Sequence, residues 1–165
     1  KEAKEMLTQF REKVPFMQGM LEAVMHRANQ VGSIRTYLGR RCQFNLWEPN
    51  WFEMDPVTKQ PVFHKALPHN EAVVKWGGSI KRAGTYKALN RLIQGTAADQ
   101  TKKAMVDIYE KLGVTPLIQV HDELNCSVRS DIMARDIKDI MENCINLEVP
   151  TKVTYKIKTN WGDAK

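Results

Sequence analysis

Apolar residues near the start of the chain recur every three or four positions, which is the spacing of one face of an α-helix. Met6, Phe10 and Val14 follow this spacing, and the residues at positions 4, 5, 12 and 13 are charged. Pro15 suits the first turn of a second helix, and the apolar pattern then continues as far as Gly32. The pattern therefore predicts two consecutive amphipathic helices.

Beyond these helices the apolar positions alternate with polar ones, which is typical of a β-strand. The alternation runs from Ile34 to Leu38, and Gly39 with Arg40 can form a turn before the next apolar stretch at 42–44. A short hairpin is the predicted structure.

Prolines and aromatic residues without a regular period dominate residues 45–78. This composition predicts an irregular excursion, with a hairpin around Asp55–Gln60. Helical spacing returns from Ser79 to Leu112, and Gly113 can end that long helix.

The last third of the chain combines both periods. Apolar runs over 117–120 and 124–128 predict two tightly joined strands, and helical spacing follows from Ser130. Apolar residues alternate again over 153–157, which predicts a final strand.

Composition places the chain among globular proteins with one core, because it has 165 residues of which 42% are hydrophobic. The net charge of +6 favours a polyanionic partner such as nucleic acid. A basic but otherwise ordinary surface explains the charge equally well, so charge alone does not identify the partner.

Three cysteines are widely spaced and odd in number, so they match neither a paired metal site nor a disulfide framework. No apolar run approaches the roughly 20 residues that a membrane span needs, and no signal peptide is evident. We therefore expect reduced cysteines, no membrane partner and a cytoplasmic location. The first residue is Lys1, so we expect a chain that was processed or cut from a longer one.

Two acidic residues stand between the two predicted strands, where His121, Asp122 and Glu123 form the tip of the hairpin. Carboxylates at an exposed tip can hold a divalent cation without being buried unpaired. Nucleotidyl transfer uses such groups to hold two magnesium ions about 4 Å apart. The alternative is that Asp122 is a turn residue and Glu123 a solvated edge charge.

Val120, His121, Asp122 and Glu123 together resemble the final motif of family A DNA polymerases. The resemblance implies an α+β fold in which a metal-binding hairpin of an antiparallel palm sheet packs on long helices. It implies that Asp122 binds Mg²⁺ and that Glu123 supports it. It also places His121 near the primer end, so that all three residues belong to the catalytic site.

A second similarity lies in the long predicted helix. Asn90 and Gln94, followed by Gly-Thr-Ala-Ala-Asp at 95–99, resemble the family's helix behind the newly formed base pair. The two amides stand one turn apart, and they could reach the minor-groove acceptors that every correct base pair presents. Taken alone, they are explained as well by ordinary solvated helix residues.

Basic residues give further matches. Arg40 and Arg41 end a Gly-Arg-Arg turn that is similar to one in the family, and they are candidate phosphate contacts. Arg82 and Lys87 belong to a basic stretch that would suit the duplex backbone, although a solvated helix face explains it too. Residues 160–163 resemble the family's C-terminus.

Three departures limit what the resemblance implies. Tyr86 occupies a position where bacterial members have an arginine, and the loop over 45–78 is longer than usual. The family's first palm motif and its nucleotide-binding fingers helix would precede Lys1. We do not assign Asp99, Asp107 or Asp131 to the missing carboxylate, because helix position and capping explain them.

The predicted organisation has three parts: a helical fingers-base segment with its hairpin (1–44), an irregular insertion (45–78) and a palm portion (79–165). We expect the C-terminal part of a DNA polymerase, of phage type, that acts on primer–template DNA with a deoxynucleoside triphosphate. It would be a fragment or one product of a split gene, inactive without its N-terminal segment or partner chain. The alternative class is a non-catalytic module that binds nucleic acid or a partner.

Overall fold

A computed structural model of the chain describes residues 2–164. The fold is mixed, with five helices and small antiparallel sheets of two, three and two strands over that range. It divides into two compact units, Lys1–Ile93 and Gln94–Lys165, and the division falls within one long helix. The three-part organisation predicted from the sequence stays a prediction.

The two amphipathic helices are confirmed as α1 (Glu2–Lys13) and α2 (Pro15–Val31). Helix α2 ends at Gly32, whose φ of 71° lies in the left-handed region that glycine tolerates. The backbone N–H of Gly32 donates to Ala28 O at 3.0 Å and closes the last turn.

The predicted hairpin after α2 is also confirmed. Strands β1 (Ser33–Arg35) and β2 (Arg41–Gln43) pair antiparallel, with Ile34 opposite Cys42. The apolar residues of this hairpin pack with α2 and with the start of the helix that begins at Ala88. Ala28, Ile34, Phe44 and Ala88 form the buried core of the first unit.

Residues 45–78 are more regular than predicted. They contain β3 (Leu46–Pro49), β4 (Leu67–Pro68) and α3 (His69–Trp76), so the expectation that the region is irregular outside the 55–60 hairpin was wrong. Strand β3 pairs on one side with β4 and on the other with β5 (Ile80–Arg82). These pairings join residues more than 15 positions apart in the chain, which local composition does not reveal.

The small hairpin predicted inside this region is present. Met54 and Pro61 form an antiparallel bridge, and the backbone N–H of Asp55 donates to Gln60 O at 2.9 Å. The Asp55 carboxylate accepts from the N–H groups of Val57 and Thr58, which lowers the pKa of Asp55.

The long helix begins later than predicted. Helix α4 spans Ala88–Leu112, while the preceding residues form β5 and a 3₁₀ turn over Thr85–Lys87. Gly84, at φ 71°, separates the strand from this turn. Pairing with β3 therefore overrides the helical spacing of the first nine residues.

The second unit holds the acidic hairpin. Strands β6 (Pro116–Val120) and β7 (Glu123–Cys126) pair antiparallel, and α5 (Asp131–Asn143) follows. The hydroxyl of Ser130 caps α5 by accepting from Met133 N at 3.2 Å.

The hairpin packs on the helices through β7. Ile108 of α4 and Ile137 of α5 are buried with Val114, and Leu124 of β7 packs against them. The sheet is a two-stranded one, so the predicted larger palm sheet with the hairpin at its centre is not formed by residues 2–164.

The final strand predicted over 153–157 is not formed. The backbone N–H of Val153 donates instead to Glu142 Oε1 at 2.8 Å, and this bond, with Lys138, lowers the pKa of Glu142. An alternating segment needs a neighbouring strand to form a ladder, and none of the described residues provides one there. None of the helices within residues 2–164 is long and apolar enough to cross a membrane.

Candidate catalytic hairpin and nucleic-acid interface

The turn of the acidic hairpin consists of two residues. Val120 pairs with Glu123, so His121 and Asp122 alone connect the strands. All three predicted catalytic residues, His121, Asp122 and Glu123, are exposed at this end of the hairpin. The structure thus brings them together at one tip, as the sequence predicted.

His121 adopts a backbone conformation that is uncommon for residues other than glycine. Its φ is 55°, at the first turn position, where tight hairpins with a single positive φ normally place glycine. The side chain of Gln119 donates to His121 O at 3.0 Å and helps to hold this conformation. Strain of this kind often accompanies a functional constraint on the side chain.

We expect His121→Gly to stabilise the protein by about 0.5–1 kcal/mol, because glycine occupies a positive φ without steric cost. Thermal unfolding followed by circular dichroism measures the change. His121→Ala is the matched control, since it removes the imidazole and keeps the strained backbone. Equal melting temperatures for the two variants would show that the strain is absent.

The two carboxylates differ in their surroundings. The side chain of Asn125 donates to Glu123 Oε1 at 3.2 Å, which orients that carboxylate. Asp122 forms neither a hydrogen bond nor an ion pair with any residue in the described range. Its carboxylate is therefore available for a ligand.

Sequence reasoning did not identify Gln119 and Asn125 as parts of this site. Each lies two positions from the residue that it contacts, and residues two apart on a strand share a face. Counting two positions along each strand from the turn residues would therefore have identified Gln119 and Asn125 as candidates.

The acidic tip fits part of a magnesium site. Carboxylate oxygens are the hard ligands that Mg²⁺ prefers, and Asp122 and Glu123 supply them on adjacent residues. Within residues 2–164, no group of three or more His, Cys, Asp or Glu residues is arranged to hold a metal ion. The described residues therefore match a contribution to a metal site and not a complete one.

Other acids of the second unit have structural roles. Asp107 is buried and bonds to the Lys103 ammonium, which lowers the pKa of the Asp107 carboxyl despite its burial. Asp131 pairs with Arg135 at 3.6 Å in the first turn of α5. Asp99 is buried. None of them lies exposed and unpaired as Asp122 does, which agrees with leaving all three unassigned.

The two helix amides are also available for a ligand. Asn90 and Gln94 lie four positions apart on α4, and both side chains are exposed. Neither side chain has a hydrogen-bond partner among the described residues. Amides in this state can donate to acceptors on another molecule.

Three of the predicted phosphate contacts are exposed in the first unit. Arg40 and Arg41 lie at the end of the turn between β1 and β2. Lys87 ends the 3₁₀ turn before α4, with its ammonium 5.3 Å from the centre of the Tyr86 ring. An exposed cation costs little to move toward a phosphate.

The Arg82 guanidinium is engaged with the protein. Its Nε donates to Asn29 O at 3.0 Å and its Nη1 donates to Phe44 O at 2.9 Å. The guanidinium also lies 4.7 Å from the ring centre of Trp47. A DNA contact by Arg82 stays a prediction.

Comparison with known proteins connects these features to one family. The sequence profile described as DNA polymerase family A matches residues 1–163. The chain is 38% identical over 161 residues to a DNA-directed DNA polymerase of Pseudomonas phage M6, covering 98% of this chain and 20% of that protein. It is 30% identical to DNA polymerase I of Bacillus caldotenax, covering 100% of this chain and 17% of that protein.

A solved structure is similar as well. It is the POL domain of Pol1 from M. smegmatis in complex with DNA primer–template and dNTP. The TM-score is 0.61 at 26% identity, over 90% of this chain and 23% of that one. The chain thus spans about a fifth of the length of the relatives that it matches.

Proposed function

The chain belongs to DNA polymerase family A, and from this membership we propose that it supplies the carboxylate hairpin and the minor-groove helix of a template-directed DNA polymerase. The observation that carries the proposal is the exposed, unpaired Asp122 carboxylate at the tip of the β6–β7 turn. The rest of the active site would come from polypeptide outside these 165 residues.

In this proposal Asp122 would hold Mg²⁺ and Glu123, oriented by Asn125, would support it. Bound magnesium lowers the pKa of an attacking hydroxyl and neutralises a leaving pyrophosphate. His121 would lie beside the primer end, held by its strained turn. The substrates would be primer–template DNA and a deoxynucleoside triphosphate, the two ligands with which the similar M. smegmatis domain was solved.

Asn90 and Gln94 would donate to the purine N3 and pyrimidine O2 acceptors of the minor groove. These acceptors are nearly the same in every correct base pair, so the contacts would check pair geometry without reading sequence. Arg40, Arg41 and Lys87 would contact phosphates, in keeping with the net charge of +6.

An uncovered strand edge supports the involvement of further polypeptide. Strand β6 pairs only with β7 among the described residues. Leu117, Ile118 and Val120 of β6 are 67%, 40% and 42% exposed. An unpaired edge with exposed apolar side chains favours pairing with another strand. We propose that the polymerase segment with the first palm motif covers it.

A non-catalytic module that keeps the fold and docks on nucleic acid is the second candidate. One observation favours it: residues 2–164 contain no group of three or more metal-ligating residues. The two candidates differ in whether the chain takes part in incorporation, because a non-catalytic module would only bind nucleic acid or a partner chain.

The minor-groove assignment is tested in the full protein as its gene encodes it, with any partner polypeptide. Asn90→Ala or Gln94→Ala should each cost about 1–3 kcal/mol in kcat/KM, because one hydrogen bond to a paired base is lost. Single-nucleotide primer extension measures this cost. Gln30→Ala is the control, since it removes an exposed helical amide of α2 outside the proposed interface. Equal effects of all three variants would contradict the assignment.

A further inference from the structure

The Arg82 side chain is enclosed on two sides by parts of the first unit that are distant in sequence. A Cβ atom placed on Gly32 would lie 2.7 Å from the guanidinium carbon of Arg82, so any larger residue there would force the guanidinium to shift. On another side the guanidinium carbon lies 4.7 Å from the ring centre of Trp47, within the range of a cation–π interaction. This packing defines one conformation for a long side chain.

Two hydrogen bonds fix that conformation further. Nε donates to the carbonyl of Asn29, one of the last four carbonyls of α2, which have no partner within the helix. A cation at this helix end also interacts favourably with the helix dipole. Nη1 donates to the carbonyl of Phe44, just after β2. Arg82 thereby links α2, β2 and β3 to the end of β5.

Arg82 lies shortly before α4 in the chain, so the contacts of its side chain affect where that helix begins. Lys87 lies five positions after Arg82, and Asn90 follows within the first turn of α4. Between them Thr85 is 7% exposed and Ala88 is fully buried in the core of the unit. The start of α4 is thus tied to the first unit by the core and by the arginine that precedes it.

We propose that Arg82 is a positioning residue that sets the start of α4, and with it Lys87 and Asn90, and that it is not a phosphate contact. The inference rests on the proposed function for the role of those two residues. Lysine at position 82 would not restore this role in the Arg82→Lys variant. Its ammonium lacks the planar guanidinium geometry that donates to two carbonyls and stacks on a ring at the same time.

The first test measures primer–template binding as a function of salt, using the full protein as its gene encodes it, with any partner polypeptide, and a fluorescent primer–template. We expect Arg82→Gln, Arg82→Lys and Gly32→Ala each to weaken binding by about tenfold, and to lower the slope of log K against log salt to a similar extent, because each displaces Lys87. A phosphate contact would instead lose about one unit of slope in Arg82→Gln only, with rescue by Arg82→Lys. That result would overturn the proposal.

The second test uses thermal unfolding and needs no DNA. Gly113→Ala is the matched control for Gly32→Ala, because Gly113 also has a positive φ, of 65°, but open space around a built Cβ. We expect Gly113→Ala to lower Tm by about 3 °C and Gly32→Ala by about 6–8 °C. With Arg82→Gln present, Gly32→Ala should cost no more than Gly113→Ala, since its clash partner is gone. Additive shifts would overturn the link between Gly32 and Arg82.

The two tests separate the inference from the function on which it rests. If the wild-type protein shows no salt-dependent binding of primer–template, the proposed function fails, and the unfolding cycle still decides whether Arg82 is packed against Gly32 as the inference requires. If binding is present and the unfolding shifts are additive, the inference alone fails.

Discussion

Asp122→Ala in the full protein, with any polypeptide that completes it, is expected to lower nucleotide incorporation by at least about 1,000-fold. Asp122 is the exposed and unpaired acid of the hairpin tip, and in the proposed function its carboxylate is a magnesium ligand. Loss of such a ligand removes charge stabilisation from the transition state. A 1,000-fold lower rate corresponds to an activation free energy that is higher by about 4 kcal/mol.

Binding of primer–template should stay nearly unchanged in the same variant, because Asp122 acts on the metal-held transition state and neutralises no phosphate. Single-turnover extension measures incorporation, and fluorescence anisotropy measures binding. Asp136→Ala is the control, since it removes another exposed aspartate of the same unit, on α5. Near-normal extension by Asp122→Ala would contradict the metal assignment and show that His121 and Asp122 form an ordinary turn.

The 165 residues alone are expected to extend no primer above background. An in-line displacement needs two metal ions held by several carboxylates, and residues 2–164 contain no group of three or more candidate ligands. We expect complete loss of primer extension relative to the full protein. The measurement must therefore exclude trace contamination by another polymerase. The Asp122→Ala chain, purified in parallel, provides the background rate.

A graft tests the same prediction in the opposite direction. The chain is 38% identical over 161 residues to part of the Pseudomonas phage M6 polymerase, so it can replace the matching segment of that enzyme. We expect the graft to extend primers and the Asp122→Ala graft to be inactive. An active isolated chain would overturn the proposal of an incomplete site, and a folded but inactive graft would favour the non-catalytic module.

The order and type of most elements could be predicted from the sequence. Helices α1 and α2, the β1–β2 hairpin and the acidic hairpin follow from spacing within a few residues, because amphipathic periodicity and glycine placement act locally. The same spacing placed His121 and Asp122 at the tip of a tight turn, whereas their catalytic roles came from the family resemblance and stay a prediction.

Local spacing failed wherever a partner distant in the chain determined the structure. Residues 80–82 lie in the stretch predicted to be helical but form β5, because β3 offers an edge with which they can pair. Residues 153–157 alternate like a strand but have no neighbouring strand among the described residues. From the sequence alone, Arg82 was also predicted to be one of several basic residues in a solvated or DNA-binding stretch.

In the tertiary structure the Arg82 guanidinium contacts two backbone carbonyls and one aromatic ring, which come from residues 29, 44 and 47. The structure also shows which acids are committed to partners, as Asp107 is to Lys103, and that Asp122 is not. Periodicity along a chain reports the face that a residue occupies within its own element. The partners across that face depend on chain closure over tens of residues, and those partners decide whether a charge binds the protein or a ligand.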